Sequence, residues 1–373
     1  MKKVMFLIPS LGDGGAERVA SVLSKYFPED VEAVFALFEN KVEYACNGRI
    51  VSLDLKAGPG ILKKIKNLIL RYYGLKRLIE AERPDAVISF MESSNLLNIL
   101  CNKAGAYVSV RAYPSITYSS SPVNRFIISL YNRARRVISV SEETRRDLIE
   151  NFGLSPDKVV TIYNPANVDE ISRLAGEPIE DETAVKIFRD YKVIINAGRL
   201  NAQKAHDDLI KAFALAYEAD KDTRLVIMGR GELEGYLKNL ASSLGVEKAV
   251  YFLNFQKNPF KYISRSKLFV LSSRFEGFPN AVIEAMICGV PILSTDCKSG
   301  PSEIFEANRF GNLVPVGDIG RMASRMTGMI KSSNGALLNF YAEKLREYSA
   351  GKIAREYLRA LGVIKEDGKT DGR

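Results

Sequence analysis

The chain lacks tryptophan and has one histidine, His206, among its 373 residues. A single histidine cannot form a metal cluster alone. It lies at a predicted helix start beside Asp207 and Asp208, so a capping or surface role is favoured over catalysis. Without a second histidine, and without a G-x-S-x-G motif, serine hydrolase chemistry is disfavoured. The conventional catalysts of acid–base and nucleophilic enzymes are therefore scarce.

Several other features are absent. The four cysteines are scattered and include no C-x-x-C pair, which argues against metal or redox roles and favours a reducing cytoplasm. No run of eighteen apolar residues occurs, and Met1-Lys2-Lys3 leads directly into a short strand-like run, so neither a transmembrane helix nor a signal peptide is expected. No P-loop pattern occurs. The one D-x-D match, at residues 220–222, precedes a strand and is interpreted as a solvated turn.

The charge is uneven. The net charge is +9, and Leu55–Ile79 contains seven Lys/Arg and no acid, while Ser93–Ser141 contains six and again no acid. Both stretches predict a basic surface on the first half of the chain. Its partner is an anionic membrane, a phosphate-bearing acceptor or nucleic acid. Zinc-finger spacing and RNA-binding aromatic motifs are absent, so nucleic acid is not expected as a partner.

Length and periodicity predict two α/β domains. A chain of 373 residues is too long for one ordinary core. Short apolar runs alternate with helical patterns from Lys3–Pro9 to Lys158–Ile162, which predicts a parallel sheet with helices on both faces. The acid-rich stretch 166–190 is interpreted as an irregular linker. The alternation restarts at Val193–Ala197 and ends at Leu313–Val316.

One helix of the first half is strongly basic. Over Ile61–Ile79, apolar residues that include Ile65, Leu68, Ile69 and Leu75 fall on one helical face, and the Lys/Arg lie largely off it. The favoured interpretation is a helix that packs its apolar stripe on the sheet and exposes a solvated basic side. The alternative is a helix that rests on anionic headgroups. Both interpretations hold if the basic side of the helix contacts lipid while its apolar stripe packs in the core.

The stretch Ser273–Cys288 has the composition of a functional loop. It follows a predicted buried strand, Leu268–Leu271, and continues into a helix closed by Gly289 and Pro291. Pro279 places Glu276 in the loop and Glu284 about one turn into the helix. Open α/β sheets bind ligands at such strand ends. On these residues alone, a ligand site and a capped helix with two solvated acids are equally supported.

Two further loops carry candidate ligand contacts. Arg199 and Lys204 follow a strand at a helix start, where two cations can clamp a diphosphate; this is favoured over two ordinary surface cations. The first loop contains Gly14 and Gly15, whose spacing does not fit G-x-G-x-x-G. Glycines let a ligand or a backbone come close, although a plain tight turn is equally supported.

These motifs together resemble the family 4 retaining glycosyltransferases of the GT-B fold, over nearly the whole chain. The E-x7-E block and the Arg/Lys pair are the most specific part. The residues that carry the resemblance are Gly198-Arg199-Leu200 with Lys204, Gly229–Glu232, Ser272–Met286, Gly289–Pro291, Ser299–Ile304, Asp13–Glu17 and Ile162–Pro165.

The resemblance implies a role for each candidate residue. A UDP-sugar, or less commonly a GDP-sugar, would lie in the interdomain cleft, without a metal or other cofactor. Front-face transfer would retain the anomeric configuration. Arg199 and Lys204 would bind the diphosphate, Glu284 the ribose, and Glu276 would face the donor sugar. The remaining implied substrate contacts are Gly277 and Phe278 through their amides, Pro279 and Asn280 beside them, and Gly14, Gly15 and Arg111 from the first domain.

Arg111 stands where this chain departs from the family. Many relatives carry a histidine after the strand that corresponds to Tyr107–Ala112, whereas this chain has Arg111 and no histidine in that half. Arg111 is therefore expected to replace it by binding phosphate or acceptor.

The resemblance also implies an architecture and a location. Two Rossmann-like, doubly wound domains would face a cleft: an acceptor-binding domain at 1–168, a linker at 169–190 and a nucleotide-sugar domain at 191–350. Residues 351–373 would form a helix that packs back on the first domain, and a loose tail. The expected enzyme adds a hexose or N-acetylhexosamine to a lipid-linked or surface-polysaccharide precursor, in the cytoplasm and on the inner face of the membrane. An NAD-dependent oxidoreductase and a non-catalytic sugar-binding protein are the alternatives from other classes.

Overall fold

The structure is a computed structural model that describes residues 1–12, 14–55, 61–102, 105–118, 121–309, 312–332 and 335–365. It divides into two compact units, residues 1–165 with 348–373, and residues 166–347. The strands are β1 Lys2–Ile8, β2 Val31–Leu37, β3 Arg49–Ser52, β4 Ala86–Phe90, β5 Ala106–Val110, β6 Arg136–Ser139, β7 Val159–Thr161, β8 Lys192–Ala197, β9 Thr223–Met228, β10 Val250–Leu253, β11 Leu268–Leu271, β12 Ile292–Thr295 and β13 Leu313–Val314.

Sixteen α-helices are assigned in the described part of the chain, with 3-10 turns at Leu130–Arg133 and Ala202–Lys204. The helices are α1 Gly15–Lys25, α2 Ile61–Glu82, α3 Glu92–Cys101, α4 Pro114–Thr117, α5 Pro122–Ser129, α6 Glu142–Glu150, α7 Val168–Ala175, α8 Glu182–Asp190, α9 His206–Ala219, α10 Glu234–Ser243, α11 Phe260–Ile263, α12 Asn280–Ile287, α13 Pro301–Ile304, α14 Ile319–Lys331, α15 Gly335–Glu347 and α16 Ala350–Ala360. No helix in the described ranges combines the length and apolar character that a membrane span requires.

The first unit is a parallel sheet covered on both faces, as the alternation predicted. Its strand order is β3-β2-β1-β4-β5-β6-β7, and every pair is parallel. Helices α1 and α16 pack on one face, against Phe6 and Phe35. Helices α2 and α3 cover the other face near Leu7, and α5 and α6 extend this layer. The prediction that a C-terminal helix packs back on the first domain is confirmed, because α16 contacts α1.

The second unit repeats the same plan. Its order is β10-β9-β8-β11-β12-β13, again parallel. The central strands are fully buried, so their apolar runs are continuous rather than alternating. Because the order reverses beside β8, the loops after β8 and β11 meet at the carboxyl edge, where such sheets bind ligands. The chain therefore contains two Rossmann-like α/β units, as its resemblance to GT-B proteins implies.

The predicted irregular linker is wrong, since 169–190 contains most of α7 and all of α8. Both helices have side-chain caps: Asn167 accepts from the Glu170 amide at 3.3 Å, and Asp181 from the Ala184 amide at 2.6 Å. Ile187 of α8 is buried. Three of the seven acids in this stretch, Asp169, Glu170 and Glu182, lie in first turns and Asp181 is an N-cap, where the helix dipole favours negative charge.

The predicted packing of the basic helix is wrong over its N-terminal half. Leu75 is fully buried, but Ile65, Leu68 and Ile69 are exposed. Apolar residues occur on more than one side of α2, so periodicity could not decide which side meets the sheet. The side chains of residues 61–64 lie outside the described set, and so does Asp13 of the first loop.

Candidate active site at the edge of the second sheet

Hydrogen bonds tie the loop after β8 to the loop after β11. The Ser272 hydroxyl donates to the Lys204 carbonyl at 2.8 Å, and the Arg274 amide donates to the Gln203 carbonyl at 2.8 Å. In return, the Gln203 side-chain amide donates to the Phe275 carbonyl at 3.0 Å. The two loops are adjacent because β8 pairs with β11. Lys204 is therefore held beside the loop that carries Glu276, although the two lie far apart in sequence.

Lys204 and Glu276 form an ion pair at the centre of this site. The Lys204 Nζ lies 2.6 Å from Glu276 Oε1, and the side chains are 22% and 7% exposed. The Ser273 hydroxyl donates to the same Oε1 at 2.6 Å. Among the described residues, no partner is found for Glu276 Oε2. The ammonium has three N–H donors, so up to two stay available for a ligand.

The backbone at Glu276 is fixed by the loop after β12. The Glu276 amide donates to the Lys298 carbonyl at 2.5 Å, and the Ser299 amide donates to the Glu276 carbonyl at 3.0 Å. The Ser299 hydroxyl also donates to the Gly277 carbonyl at 2.7 Å. The carboxylate is therefore presented by a loop held on both sides, as a preorganised site requires.

Arg199 lies exposed at the end of β8, and within the described ranges no carboxylate pairs with it. The glycines beside it permit close backbone packing. A Cβ at Gly229 would lie 1.9 Å from the Gly198 carbonyl oxygen, and one at Gly231 would lie 2.3 Å from the Leu200 carbonyl oxygen. Gly229 also has φ +145°, a conformation that L residues rarely adopt. These glycines let the loop after β9 support the loop that carries Arg199.

The start of α12 supplies backbone donors. Gly277, Phe278 and Pro279 are buried, and Asn280 opens the helix. In the part of the chain that the structure describes, no acceptor is found for the amides of Gly277 and Ala281. Free N–H groups at a helix start bind anions and sugar oxygens. Glu284 is half-buried in the second turn of α12.

His206 is buried behind this site, so the predicted capping or surface role is wrong. Its ring is 1% exposed, and Nε2 lies 2.8 Å from the Asn196 side-chain oxygen. The Asn196 amide donates to the Val270 carbonyl at 2.7 Å, which fixes its oxygen as the acceptor and Nε2–H as the histidine donor. Burial, assisted by the charge of Lys204, lowers the pKa of His206 to about 4. The neutral ring orders the β8–β11 junction and is no general acid at neutral pH.

Arg111 lies in the other unit, at the carboxyl end of β5. It donates to the Asn164 side-chain oxygen at 2.6 Å and to the Tyr357 hydroxyl at 3.4 Å, and lies over the Phe90 ring. Burial lowers the pKa of this guanidinium. Its five N–H groups are only partly used by these contacts. Arg111 therefore bridges three elements of the first unit and keeps donors for an anion.

Gly14 and Gly15 start α1 at the same edge of the first sheet. Gly14 is the N-cap residue in an extended conformation, with no side-chain cap. A Cβ at Gly14 would lie 2.1 Å from a carboxylate oxygen of Glu17. Gly14 therefore leaves room for the Glu17 carboxylate. This carboxylate also interacts electrostatically with Arg111. Sequence inspection gave Glu17 no role of its own.

The structure thus brings Arg199, Lys204, Glu276 and the Gly277 amide to one sheet edge of the second unit, and Gly14, Gly15 and Arg111 to one edge of the first. Ser273, Ser299 and Asn196 were missed as supports. A polar residue inside the apolar run of β8 was the available signal for Asn196. The described residues contain no cluster of three His, Cys, Asp or Glu that could hold a metal ion.

Comparisons with known proteins agree with this architecture. The family model described as "Glycosyltransferase Family 4" matches residues 13–170, and the model "Glycosyl transferases group 1" matches residues 179–349. A Campylobacter jejuni protein is 32% identical over 97% of this chain and 100% of its own length. This chain belongs to glycosyltransferase family 4.

That relative is named N-acetylgalactosamine-N,N'-diacetylbacillosaminyl-diphospho-undecaprenol 4-alpha-N-acetylgalactosaminyltransferase. A second relative from the same organism, named as an alpha-1,4-N-acetyl-D-galactosaminyltransferase for an undecaprenol-linked glycan, is 23% identical over 98% of this chain and 99% of its own length. The solved structure of Anabaena HepE in complex with UDP and glucose has a TM-score of 0.80 at 18% identity, and covers 98% of this chain and 100% of HepE. The family 4 chain described here is thus a glycosyltransferase of the GT-B fold.

Proposed function

We propose that this glycosyltransferase moves a hexose or N-acetylhexosamine from a UDP-sugar to a lipid-linked or cell-surface polysaccharide precursor, with retention and without a metal. The observation that carries the proposal is the ion pair between Lys204 and Glu276, with Arg199 in the same loop as Lys204 and without a carboxylate partner among the described residues. One edge of the sheet then offers two cations for a diphosphate and one carboxylate for a sugar.

In this reaction the acceptor hydroxyl attacks the anomeric carbon of the donor from the side of the leaving group. The bond from that carbon to the diphosphate oxygen breaks, and the acceptor proton passes to a diphosphate oxygen, which yields UDP and the glycoside. Negative charge grows on the leaving diphosphate. Arg199 and the free N–H groups of Lys204 stabilise it without reorganisation, and loss of such a group costs about 3 kcal/mol of barrier.

Each remaining residue has a role in the proposal. Glu276 Oε2 accepts from a donor-sugar hydroxyl while Oε1 stays bound to Lys204 and Ser273. The amides at the start of α12, with Phe278, Pro279 and Asn280, line the sugar and phosphate positions, and Glu284 binds the ribose. Arg111, Gly14 and Gly15 contact acceptor or donor phosphate from the first unit.

The lipid-linked acceptor and a location on the inner face of the cytoplasmic membrane rest on two supports. The names of the two Campylobacter relatives specify undecaprenol-linked substrates. The stretches Leu55–Ile79 and Ser93–Ser141 are rich in Lys and Arg and contain no acid.

A transfer assay tests the proposal. Purified full-length protein, with EDTA present, is given UDP- and GDP-sugars with undecaprenyl-diphosphate-linked sugar, and nucleotide release and product are measured. We expect UDP release, reduced about a hundredfold or more in Lys204→Ala and in Glu276→Gln. Lys221→Ala, in a surface turn of the same unit, is the control. Unchanged turnover in both site variants would contradict the site, and transfer from GDP-sugars alone would contradict the donor.

A further inference from the structure

Glu92 is an isolated carboxylate of the first unit. It is the only acid between Asp85 and Glu142, although the same interval contains six Lys/Arg. Among the described residues, no Lys or Arg lies within ion-pair distance of it. The residue is half-buried, so it is not simply a solvated surface charge. A half-buried acid that no cation neutralises, in a unit this basic, indicates a role in binding.

The backbone presents Glu92 at the carboxyl edge of the first sheet. Glu92 is the first residue of α3, directly after β4, and Met91 is the N-cap residue without a side-chain cap. Met91 has φ +73° and ψ 152°, a conformation that residues other than glycine rarely adopt. Backbone strain of this kind occurs mostly at functional sites. The chain therefore keeps an unfavourable conformation at the residue that places Glu92 at this edge.

Tyr118 holds one oxygen of Glu92. Its hydroxyl donates to Glu92 Oε1, and burial, followed by the charge of Glu92, raises the pKa of Tyr118, so the phenol keeps its proton. Helix α4, directly before Tyr118, is fixed to α6, because the Ser115 amide donates at 2.8 Å to the buried carboxylate of Asp147. In the part of the chain that the structure describes, no partner is found for Glu92 Oε2.

A buried polar layer lies beside this pair. Burial, with the nearby charge of Glu92 in addition, raises the pKa of Tyr131, whose hydroxyl accepts from the Asn95 side-chain amide at 3.5 Å. The same amide donates to the Ser109 carbonyl at 3.0 Å, which leaves the Asn95 oxygen as an acceptor. Among the described residues, no donor reaches this buried oxygen, and the buried Ser94 hydroxyl has no partner either. Buried polar groups without partners are uncommon and indicate a missing donor.

The chemistry of these groups selects the ligand. Glu92 Oε2 and the Asn95 oxygen only accept hydrogen bonds, so they attract O–H and N–H donors, and the carboxylate repels phosphate. Tyr118 adds the face of an aromatic ring, which packs against apolar groups. A neutral sugar carries hydroxyl donors together with an apolar C–H face. The described residues hold no cluster of acids that would favour a metal ion instead.

We propose that Glu92 and Tyr118 bind a neutral sugar of the acceptor, with a hydroxyl or an acetamido N–H donating to Glu92 Oε2. The proposal rests on the proposed function in that this sugar belongs to the lipid-linked precursor. Arg111 follows β5, the neighbour of β4, and its guanidinium lies 5.7 Å from the centre of the Phe90 ring. A cation for phosphate and a carboxylate for sugar therefore follow adjacent strands, as a diphosphate-linked sugar requires.

Saturation-transfer NMR tests the sugar site. Full-length protein, in the presence of UDP, is titrated with the methyl α-glycosides of glucose, galactose, N-acetylglucosamine and N-acetylgalactosamine. We expect at least one to bind, and Glu92→Gln to weaken it about tenfold, since a neutral hydrogen bond replaces a charge-assisted one. The matched control is Glu182→Gln on α8, which also removes a first-turn acid and should bind like the wild type. A UDP-induced shift of the melting temperature in each variant shows that the fold is intact.

A third variant separates this site from the proposed donor-sugar position. Glu276→Gln is expected to keep glycoside binding, because Glu276 lies in the second unit. Loss of binding in Glu276→Gln with retention in Glu92→Gln would assign the sugar to the second unit and overturn the proposal. Absence of binding for all four glycosides, or equal weakening by Glu182→Gln, would overturn it as well.

Steady-state kinetics distinguish this proposal from the proposed function. In Glu92→Gln, the KM for the undecaprenyl-diphosphate-linked sugar should rise about tenfold while the KM for the UDP-sugar stays unchanged. Transfer with an unchanged acceptor KM would overturn the sugar site and leave the proposed function standing. A wild type that binds glycosides through Glu92 but transfers nothing from UDP-sugars would contradict the proposed function and leave the sugar site standing.

Discussion

Replacement of Lys204 with methionine tests how much the Lys204–Glu276 ion pair contributes to the free energy of unfolding. The variant leaves a carboxylate that is 7% exposed with Ser273 as its remaining side-chain partner. Loss of one partner from a buried ion pair costs about 3 kcal/mol or more. Glu276→Gln is milder, because glutamine keeps an oxygen for Ser273 and the ammonium of Lys204, 22% exposed, reaches water. We expect about 1 kcal/mol for that change.

The double variant Lys204→Met, Glu276→Gln shows whether the two losses of stability are coupled or simply add. With both charges removed, the site contains a thioether and an amide, and we expect a cost of about 1 kcal/mol rather than the sum of about 4 kcal/mol. The coupling free energy is therefore about 3 kcal/mol. Activity should stay lost in the double variant, because Lys204, the cation proposed to stabilise the leaving diphosphate, is absent.

The assay is equilibrium unfolding in urea, followed by circular dichroism because the chain has no tryptophan. The proposed UDP site lies in the second unit, so the unfolding transition whose midpoint UDP shifts is expected to be that of the second unit. If the losses of stability in the two single variants add up in the double variant, the reasoning is refuted. Additive losses would mean that Lys204 and Glu276 do not act as a pair.

Two further predictions concern the supports of the site. The pKa of His206, lowered by burial from 6.5 to about 4, means that the unfolded chain binds a proton first as the pH falls. Stability should therefore fall by roughly 3 kcal/mol between pH 6.5 and 4 through this group, and His206→Gln should lose that part of the slope in urea unfolding; an unchanged slope would contradict the assignment. Gly229→Ala should destabilise by about 2 kcal/mol or more and reduce UDP release, because its Cβ would overlap the Gly198 carbonyl. The control Gly235→Ala, whose Cβ meets nothing within 4 Å in α10, should be neutral or stabilising; equal losses in both would contradict the packing argument.

The sheets could be predicted from the sequence because each strand is a short apolar run bounded by turn residues, and buried parallel strands need no other signal. The helices α7 and α8 were missed in the stretch interpreted as a linker, because acids at the helix starts were taken as evidence for a loop. Asn167 and Asp181 were readable caps for α7 and α8. The packing side of α2 could not be predicted, because its apolar residues are not confined to one stripe.

The site was predictable in its parts but not in its contacts. The motif placed Glu276 in a loop and Arg199 and Lys204 at a strand end. Only the strand order, which puts β11 beside β8, shows that Lys204 and Glu276 meet. Support by Ser273 and the burial of His206 depend on side-chain directions that spacing does not specify.

Titration of UDP into the full-length protein tests the central claim most directly. With EDTA present, isothermal calorimetry of the wild type should give saturable binding, and Arg199→Gln should weaken it about tenfold or more, since one charge-assisted contact to the diphosphate is lost. Arg224→Gln, at the opposite end of β9, is the matched control and should bind like the wild type. Equal UDP affinity in the wild type and Arg199→Gln, or binding only after a divalent metal is added, would contradict the account.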